Sequence, residues 1–284
     1  MDIQTVGVIG AGVMGVGVAQ NLAQTSHQVI LIDISQDILA RAKPEIRNNI
    51  RFQGFMKKTV EDPENTLQKI TFTTDYQLLK KTDFVVENVV EKWDIKKDVY
   101  VQMDSICPEH CIFAANTSAI PITRIGSVTK RPSKVIGMHF MNPVAMKKTV
   151  ETIRGYHTSD ETIEISKQFL SQMGKDSIIV NDAPGFVANR LSHLFMNEAA
   201  NLVMENIATP KDIDEIFKKC YGHAMGPLET ADLIGLDTVV DTLQVLYESY
   251  QDSKFQCSPL LKKMVDAGLY GRKSGQGFYP YQQP

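Results

Sequence analysis

The chain opens on a short apolar, β-branched run, Thr5-Val6-Gly7-Val8-Ile9, which predicts a buried strand. It leads directly into Gly10-Ala11-Gly12-Val13-Met14-Gly15. Beyond Val13 the period changes, and Gly17, Val18, Leu22 and Ala23 fall on one helical face. Gln28-Val29-Ile30-Leu31-Ile32 predicts a second strand, ending at Asp33. Further strands are predicted at Phe84-Val85-Val86, Ile112-Phe113-Ala114-Ala115 and Val135-Ile136-Gly137-Met138. Between the first two of these, Ile95, Val99, Met103 and Ile106 are spaced as one face of a helix. Strands alternating with helices are the pattern of a parallel sheet covered on both faces. Ser177-Ile178-Ile179-Val180 is the last run of that kind.

After Asp182-Ala183-Pro184-Gly185 the pattern is helical. Leu191, Leu194, Phe195, Ala199, Leu202 and Val203 hold helical spacing to Glu205. Thr209-Pro210-Lys211-Asp212 reads as a helix start with Thr209 as N-cap, and Gly222 as its stop. A third helical run is predicted from near Asp232 to about Tyr250. The fold class expected is α/β, with a doubly wound sheet over residues 1–182 and an all-helical C-terminal domain over residues 183–284.

Composition narrows the classes of function. With 43% hydrophobic and 22% charged residues and a mean hydropathy of -0.15, the chain fits neither a disordered nor a membrane protein. The net charge is -3 with no basic block to track a phosphate backbone, which argues against nucleic acid as a partner. The first residues carry no basic n-region or apolar h-region, and no run of about 18 apolar residues occurs, so neither export nor a bilayer is expected. Cys107, Cys111, Cys220 and Cys257 are too few and scattered for a disulfide framework, so a reducing, cytoplasmic setting is the expectation. Cys107 and Cys111, with His110 between them, are not followed by further ligands at a zinc-like spacing, and no metal is expected.

Gly10, Gly12 and Gly15 form G-x-G-x-x-G between a strand and a helix, with an acid, Asp33, about 20 residues on. The first glycine makes the turn, the second admits a pyrophosphate and the third lets helix pack on strand. The helix N-terminus supplies free N–H groups and a favourable dipole. Asp33 can accept from a ribose hydroxyl but repels a 2′-phosphate, and Ile34-Ser35-Gln36 offers no arginine, so NAD is favoured over NADP. His139 follows a predicted strand, where ligands of open α/β sheets bind. Glu151, an acid in the otherwise apolar Thr149-Val150-Glu151-Thr152-Ile153, is the kind of partner that fixes a histidine tautomer and stabilises its imidazolium. A hydrolase lacks its G-x-S-x-G elbow here, and Gly174-Lys175 is followed by Asp176, so there is no P-loop. A non-catalytic NAD-binding module is the alternative from another class.

The glycine fingerprint, Asn116-Thr117-Ser118, His139-Phe140-Met141-Asn142-Pro143, Pro184-Gly185-Phe186-Val187-Ala188-Asn189-Arg190, Met225-Gly226-Pro227-Leu228 and Gly271-Arg272-Lys273-Ser274-Gly275-Gln276-Gly277-Phe278-Tyr279 together resemble the 3-hydroxyacyl-CoA dehydrogenase family. The resemblance spans essentially the whole chain. It implies a Rossmann-type domain, a helical C-terminal domain that forms a homodimer, and active sites in the cleft between domains. It also implies interconversion of 3-hydroxyacyl and 3-oxoacyl thioesters with NAD. Carried over by residue, it makes His139 and Glu151 the catalytic pair, with Ser118 and Asn189 as polar substrate contacts. Gly10, Gly12, Val13, Met14, Gly15, Asp33, Glu91, Lys96, Asn116, Ser118 and Asn142 become the cofactor side.

Two departures from the family pattern bear on substrate. Met141 stands where a second Phe is usual, and Ala145-Met146-Lys147-Lys148-Thr149 replaces a more apolar stretch. A branch of similar sequence acts on short, glyceryl-type hydroxyacyl units carried by acyl carrier protein for polyketide or hybrid antibiotic assembly. Arg47, Arg51, Lys57 and Lys58 form a basic stretch suited to the 3′-phosphate of CoA or to an acidic carrier-protein helix. The leading expectation is a short-chain acyl-CoA substrate, with the carrier-protein thioester second.

Overall fold

The computed structural model describes residues 3–57 and 62–282, and the chain divides into two units, Met1–Ala183 and Pro184–Pro284. In the first unit the elements run β1 (Thr5–Ile9), α1 (Val13–Gln24), β2 (Gln28–Ile32), α2 (Gln36–Lys57), α3 (Pro63–Leu67), β3 (Ile70–Thr73) and β4 (Phe84–Glu87). They continue through α4 (Trp93–Ile106), β5 (Ile112–Ala115), α5 (Ile122–Gly126), β6 (Val135–His139), β7 (Thr149–Arg154), α6 (Asp160–Gln172) and β8 (Asp176–Asn181). The eight strands form one sheet in the order β3-β2-β1-β4-β5-β6-β7-β8, a doubly wound topology whose order reverses between β1 and β4.

Its middle strands are buried on both faces, which accounts for their unbroken apolar runs. Val8, Leu31, Phe84, Val86, Ala114 and Ile136 join Val18 and Leu22 of α1 and Phe169 and Leu170 of α6 in one core. The parallel register makes Ile9, Glu87 and Ala115 neighbours across the sheet, with Gly137 of β6 beside Ala115. The chain therefore leaves β1, β4, β5 and β6 at one common edge.

The sheet is not wholly parallel. β7 pairs antiparallel with β6, and neither β7 nor the short, half-buried β3 stands out in the apolar pattern. Thr149-Val150-Glu151-Thr152 alternates in burial, and its acid and two threonines interrupt the apolar run by which the other strands are read.

The second unit is helical: α7 (Ala188–Met204), α8 (Pro210–Tyr221), α9 (Pro227–Ile234), α10 (Leu236–Tyr250) and α11 (Pro259–Asp266). Thr209 caps α8 by accepting from Asp212 N at 3.2 Å, and Gly222 ends it at φ 75°. The single helical run expected from Asp232 to Tyr250 is two helices, broken at Gly235, whose φ of 104° no helix interior adopts.

Two buried aspartates tie this unit together. Asp214 of α8 accepts from Leu228 N and Glu229 N at 2.9 Å each, capping α9, and from the Tyr279 hydroxyl at 2.7 Å. Asp232 of α9 accepts from Phe278 N, Tyr279 N and the Tyr281 hydroxyl, each at 3.0 Å. A Cβ on Gly277 would lie 2.0 Å from Asp232 Oδ1, so the Gly271–Tyr279 motif is built around that carboxylate. Among the described residues no helix is long and apolar enough to cross a membrane.

Candidate active site

The turn from β1 into α1 shows what each glycine is for. Gly10 sits at φ 91°, and a Cβ there would lie 2.7 Å from Asn88 O. A Cβ on Gly15 would come 1.7 Å from Gly10 O, so helix and turn touch through bare backbone. At Gly12 a Cβ meets no atom of the described residues within 4 Å. Among the described residues nothing requires glycine at that position; the space it leaves open fits a pyrophosphate approaching the N-terminus of α1. Val13 and Met14 begin that helix, Val13 largely exposed.

Beside the turn lies a cavity of about 300 Å³, lined by Gly10, Gly12, Asp33, Ile38, Tyr76 and Val89 among others and mostly apolar. Asp33 ends β2 there and accepts from Ala11 N at 2.7 Å, so the acid and the glycine turn are held as one piece. Among the described residues no lysine or arginine lines the cavity to neutralise a 2′-phosphate. Tyr76 is a wall residue with no mark in the sequence pattern. Burial, then the nearby Asp33 charge, push its hydroxyl above the usual tyrosine range.

The second part of the site follows β5. Asn116 donates from Nδ2 to Asn88 Oδ1 at 2.7 Å and accepts on Oδ1 from Phe140 N at 3.2 Å, linking the exits of β4, β5 and β6. Glu91 Oε1 accepts from the backbone N–H groups of Ser118, Ala119 and Ile120 at 3.1, 3.0 and 3.2 Å, and from the Thr117 hydroxyl. Lys96 has no exposed surface. Its ammonium lies 2.8 and 3.0 Å from the two oxygens of Glu87 and 3.5 Å from Glu91 Oε2. A cofactor contact expected of Lys96 thus falls on a side chain that braces the site from beneath. Burial pushes the Glu87 carboxyl up, and the Lys96 charge opposes that only in part.

His139 and Glu151 are paired by the sheet itself. In the antiparallel ladder Gly137 faces Ile153, Met138 faces Thr152 and His139 faces Glu151. His139 Nδ1 lies 2.9 Å from Glu151 Oε2, and its Nε2 lies 3.4 Å from Ser118 Oγ. His139 is 6% exposed. A carboxylate on Nδ1 favours the tautomer that carries its proton there, which leaves Nε2, on the Ser118 side, as the basic nitrogen.

The remaining candidates are distributed differently. Asn142 is exposed in the loop after β6, before a cis peptide bond to Pro143. Asn189 lies in the first turn of α7, in the second unit. Arg51 is exposed on α2. Lys58 and the side chain of Lys57 lie outside the described residues. Arg47 is engaged by Glu64, Nη2 to Oε1 at 2.7 Å, which removes it from the basic stretch as an open charge. Cys107 and Cys111 both lie by the Thr82 hydroxyl, at 4.0 and 3.6 Å. Among the described residues no cluster of His, Cys, Asp or Glu could hold a metal ion.

A doubly wound sheet with an open glycine turn, an acid at the end of β2 and a polar cluster at the carboxyl edge of the strands defines an NAD-dependent oxidoreductase. The particular family follows from comparison with known proteins. The NAD-binding-domain model of 3-hydroxyacyl-CoA dehydrogenase matches residues 5–183, and the model of the C-terminal domain matches residues 185–281. The chain belongs to the 3-hydroxyacyl-CoA dehydrogenase family. It is 47% identical over 275 residues to a Deinococcus radiodurans protein named "Probable 3-hydroxybutyryl-CoA dehydrogenase", covering 97% of this chain and 99% of that one. It is 38% identical to human mitochondrial hydroxyacyl-coenzyme A dehydrogenase, covering 99% of this chain and 92% of that one. Among solved structures, the (S)-3-hydroxybutyryl-CoA dehydrogenase of Ralstonia eutropha superposes with a TM-score of 0.94 at 40% identity, covering 99% of this chain and 100% of that one.

Proposed function

We propose that this protein interconverts a short-chain 3-hydroxyacyl-CoA and its 3-oxoacyl-CoA with NAD, using His139 as general base and acid. The observation that carries the reading is the 2.9 Å contact between His139 Nδ1 and Glu151 Oε2, set by strand register. NAD, when bound, supplies the hydride acceptor for the oxidation. His139 Nε2 takes the substrate hydroxyl proton as the C–O bond becomes a carbonyl, and returns it in the reverse direction. Glu151 stabilises the imidazolium formed. Ser118 holds the substrate oxygen from its place 3.4 Å from Nε2. Asp33 receives the ribose hydroxyls, and the backbone around Gly12 receives the pyrophosphate. The assignment of Asn189 as a substrate contact rests on the family resemblance.

The relatives' names favour a four-carbon acyl-CoA. The exposed Lys147, Lys148 and Thr149 are the feature that keeps the carrier-protein thioester as a second reading. Exposed Val187, Leu191, Ile207 and Ile216 of the second unit support a homodimer through that unit.

The test follows NADH oxidation with acetoacetyl-CoA beside the same acyl group on acyl carrier protein, and NAD reduction with a three-carbon hydroxyacyl group on acyl carrier protein. Turnover on the CoA ester is expected to lead, and strong preference for the carrier-bound substrate overturns the CoA assignment. His139→Gln is expected to lower kcat by about 100-fold or more with NADH binding intact, the usual contribution of a general base. Near-native turnover in that variant rejects His139 as the base.

A further inference from the structure

We infer that Glu87 is a positioning residue for the reaction, acting through Lys96 and Glu91 to hold the loop that carries Ser118. This rests on the reading above of Ser118 as a substrate contact. Phe84, Val85 and Val86 of β4 are fully buried and apolar, yet the strand ends on a glutamate with no exposed surface. Glu87 accepts from Val89 N at 2.6 Å and meets Lys96 Nζ through both oxygens. Lys96 Nζ also points at the carbonyls of Val89 and Asn116, at 3.4 and 3.5 Å, and at Glu91 Oε2. The other oxygen of Glu91 gathers the N–H groups of residues 118–120. Charge therefore alternates along one line, carboxylate, ammonium, carboxylate, ending on the loop beside His139.

Stability does not account for this line. A buried ion pair usually gains little over apolar residues of the same size, because both charges lose their hydration. Its value here is geometric. Glu91 is 37% exposed, and an exposed glutamate samples several rotamers unless something fixes it. With Glu87 in place, Lys96 is shared between two carboxylates and rests 3.5 Å from Glu91. Without the Glu87 charge, Lys96 has Glu91 as its remaining carboxylate and draws it inward, off the N–H groups of the loop. Ser118 then loses its register with His139, and misplacement by about 1 Å can cost 100-fold in rate.

The experiment uses the full-length chain carrying Glu87→Gln and the charge-free pair Glu87→Gln with Lys96→Met. In Glu87→Gln, kcat with NADH and acetoacetyl-CoA is expected to fall about 10- to 100-fold while KM for NADH stays within about twofold. The paired variant removes that pull but also the ammonium that fixes the exposed Glu91, so it is expected to recover the thermal midpoint but not kcat, which a merely structural role would not produce. Backbone hydrogen exchange at Ser118, Ala119 and Ile120 is expected to accelerate in both variants, a readout independent of turnover. Wild-type exchange in the loop, wild-type kcat in Glu87→Gln, or recovery of kcat together with the midpoint overturns the inference. A wild-type protein inactive on every hydroxyacyl thioester, with accelerated loop exchange in the variants, would instead count against the function proposed above.

Discussion

Replacing Gly12 with alanine separates cofactor binding from folding. Gly12 is the N-cap of α1 with φ -75° and ψ -174°, a backbone that any residue adopts, and an added Cβ meets no atom of the described residues within 4 Å. In the folded chain the methyl group costs little. Alanine is a poorer N-cap than glycine by under about 1 kcal/mol. A stiffer unfolded chain offsets about 0.4–1 kcal/mol of that, so the thermal midpoint should stay within about 4 °C of wild type. The same methyl group fills the space left for a pyrophosphate. Withdrawing one backbone N–H from a charged acceptor costs about 1.5–3 kcal/mol, which raises the Kd for NADH about 10- to 150-fold. Gly15→Ala is the contrast, because its Cβ would sit 1.7 Å from Gly10 O. Helix and turn must separate, losing about 1–3 kcal/mol of stability along with binding. Fluorescence titration with NADH and thermal unfolding of the same preparations check both. Wild-type NADH affinity in Gly12→Ala, or a stability loss equal to that of Gly15→Ala, refutes the reasoning.

Asp33→Ala removes both the proposed ribose acceptor and the partner of Ala11 N, and is expected to weaken NADH about tenfold or more while kcat at saturating NADH stays within a few-fold. An unchanged Kd by calorimetry counts against the ribose role. Asp232→Ala leaves Phe278 N, Tyr279 N and the Tyr281 hydroxyl without their acceptor and should destabilise the protein by about 3 kcal/mol or more in urea unfolding. A shift under about 1 kcal/mol would mean that water replaces the carboxylate. In thiol titration of the native chain at pH 8, Cys220 alone should react rapidly, since Cys107, Cys111 and Cys257 are buried and burial pushes Cys257 up to about 11. All four thiols should react in denaturant, and rapid reaction of more than one in native buffer contradicts the packing described.

The parts of the site that could be read from the chain are those whose chemistry is local. Gly10, Gly12, Gly15 and Asp33 belong to one strand-turn-helix-strand unit, and their spacing is the geometry. His139 and Glu151 were visible as a histidine and an acid in apolar company, but not why they meet. That depends on β7, whose acid and threonines hide it from a search for apolar runs, and on its antiparallel pairing. Nothing in the pattern marks Lys96, expected as a cofactor contact, as a buried residue, because lysine is seldom buried without a partner. Its partner Glu87 lies on a different element, brought close only by the turn from β4 into α4. The grip of Glu91 on residues 118–120 is likewise a contact across 27 to 29 positions that no periodicity announces. Gly235, by contrast, carried a local signal for a helix break that the surrounding apolar spacing outweighed.

Cross-strand pairing makes the opposition of His139 and Glu151 a property of the sheet rather than of the side chains in the segment between them. Two residues facing each other in a ladder stay opposed as long as register holds, and exposed side chains in the connection do not set that register. Residues 140–148 are tied down at Phe140 N by Asn116, at the Val144 and Lys147 carbonyls by the buried Lys175 ammonium, and at Val144 in the core, while the side chains of Lys147 and Lys148, where the chain departs from the usual family pattern, stay exposed. Variation can thus change the exposed side chains of this segment without moving the proposed proton-transfer pair, which the sheet holds.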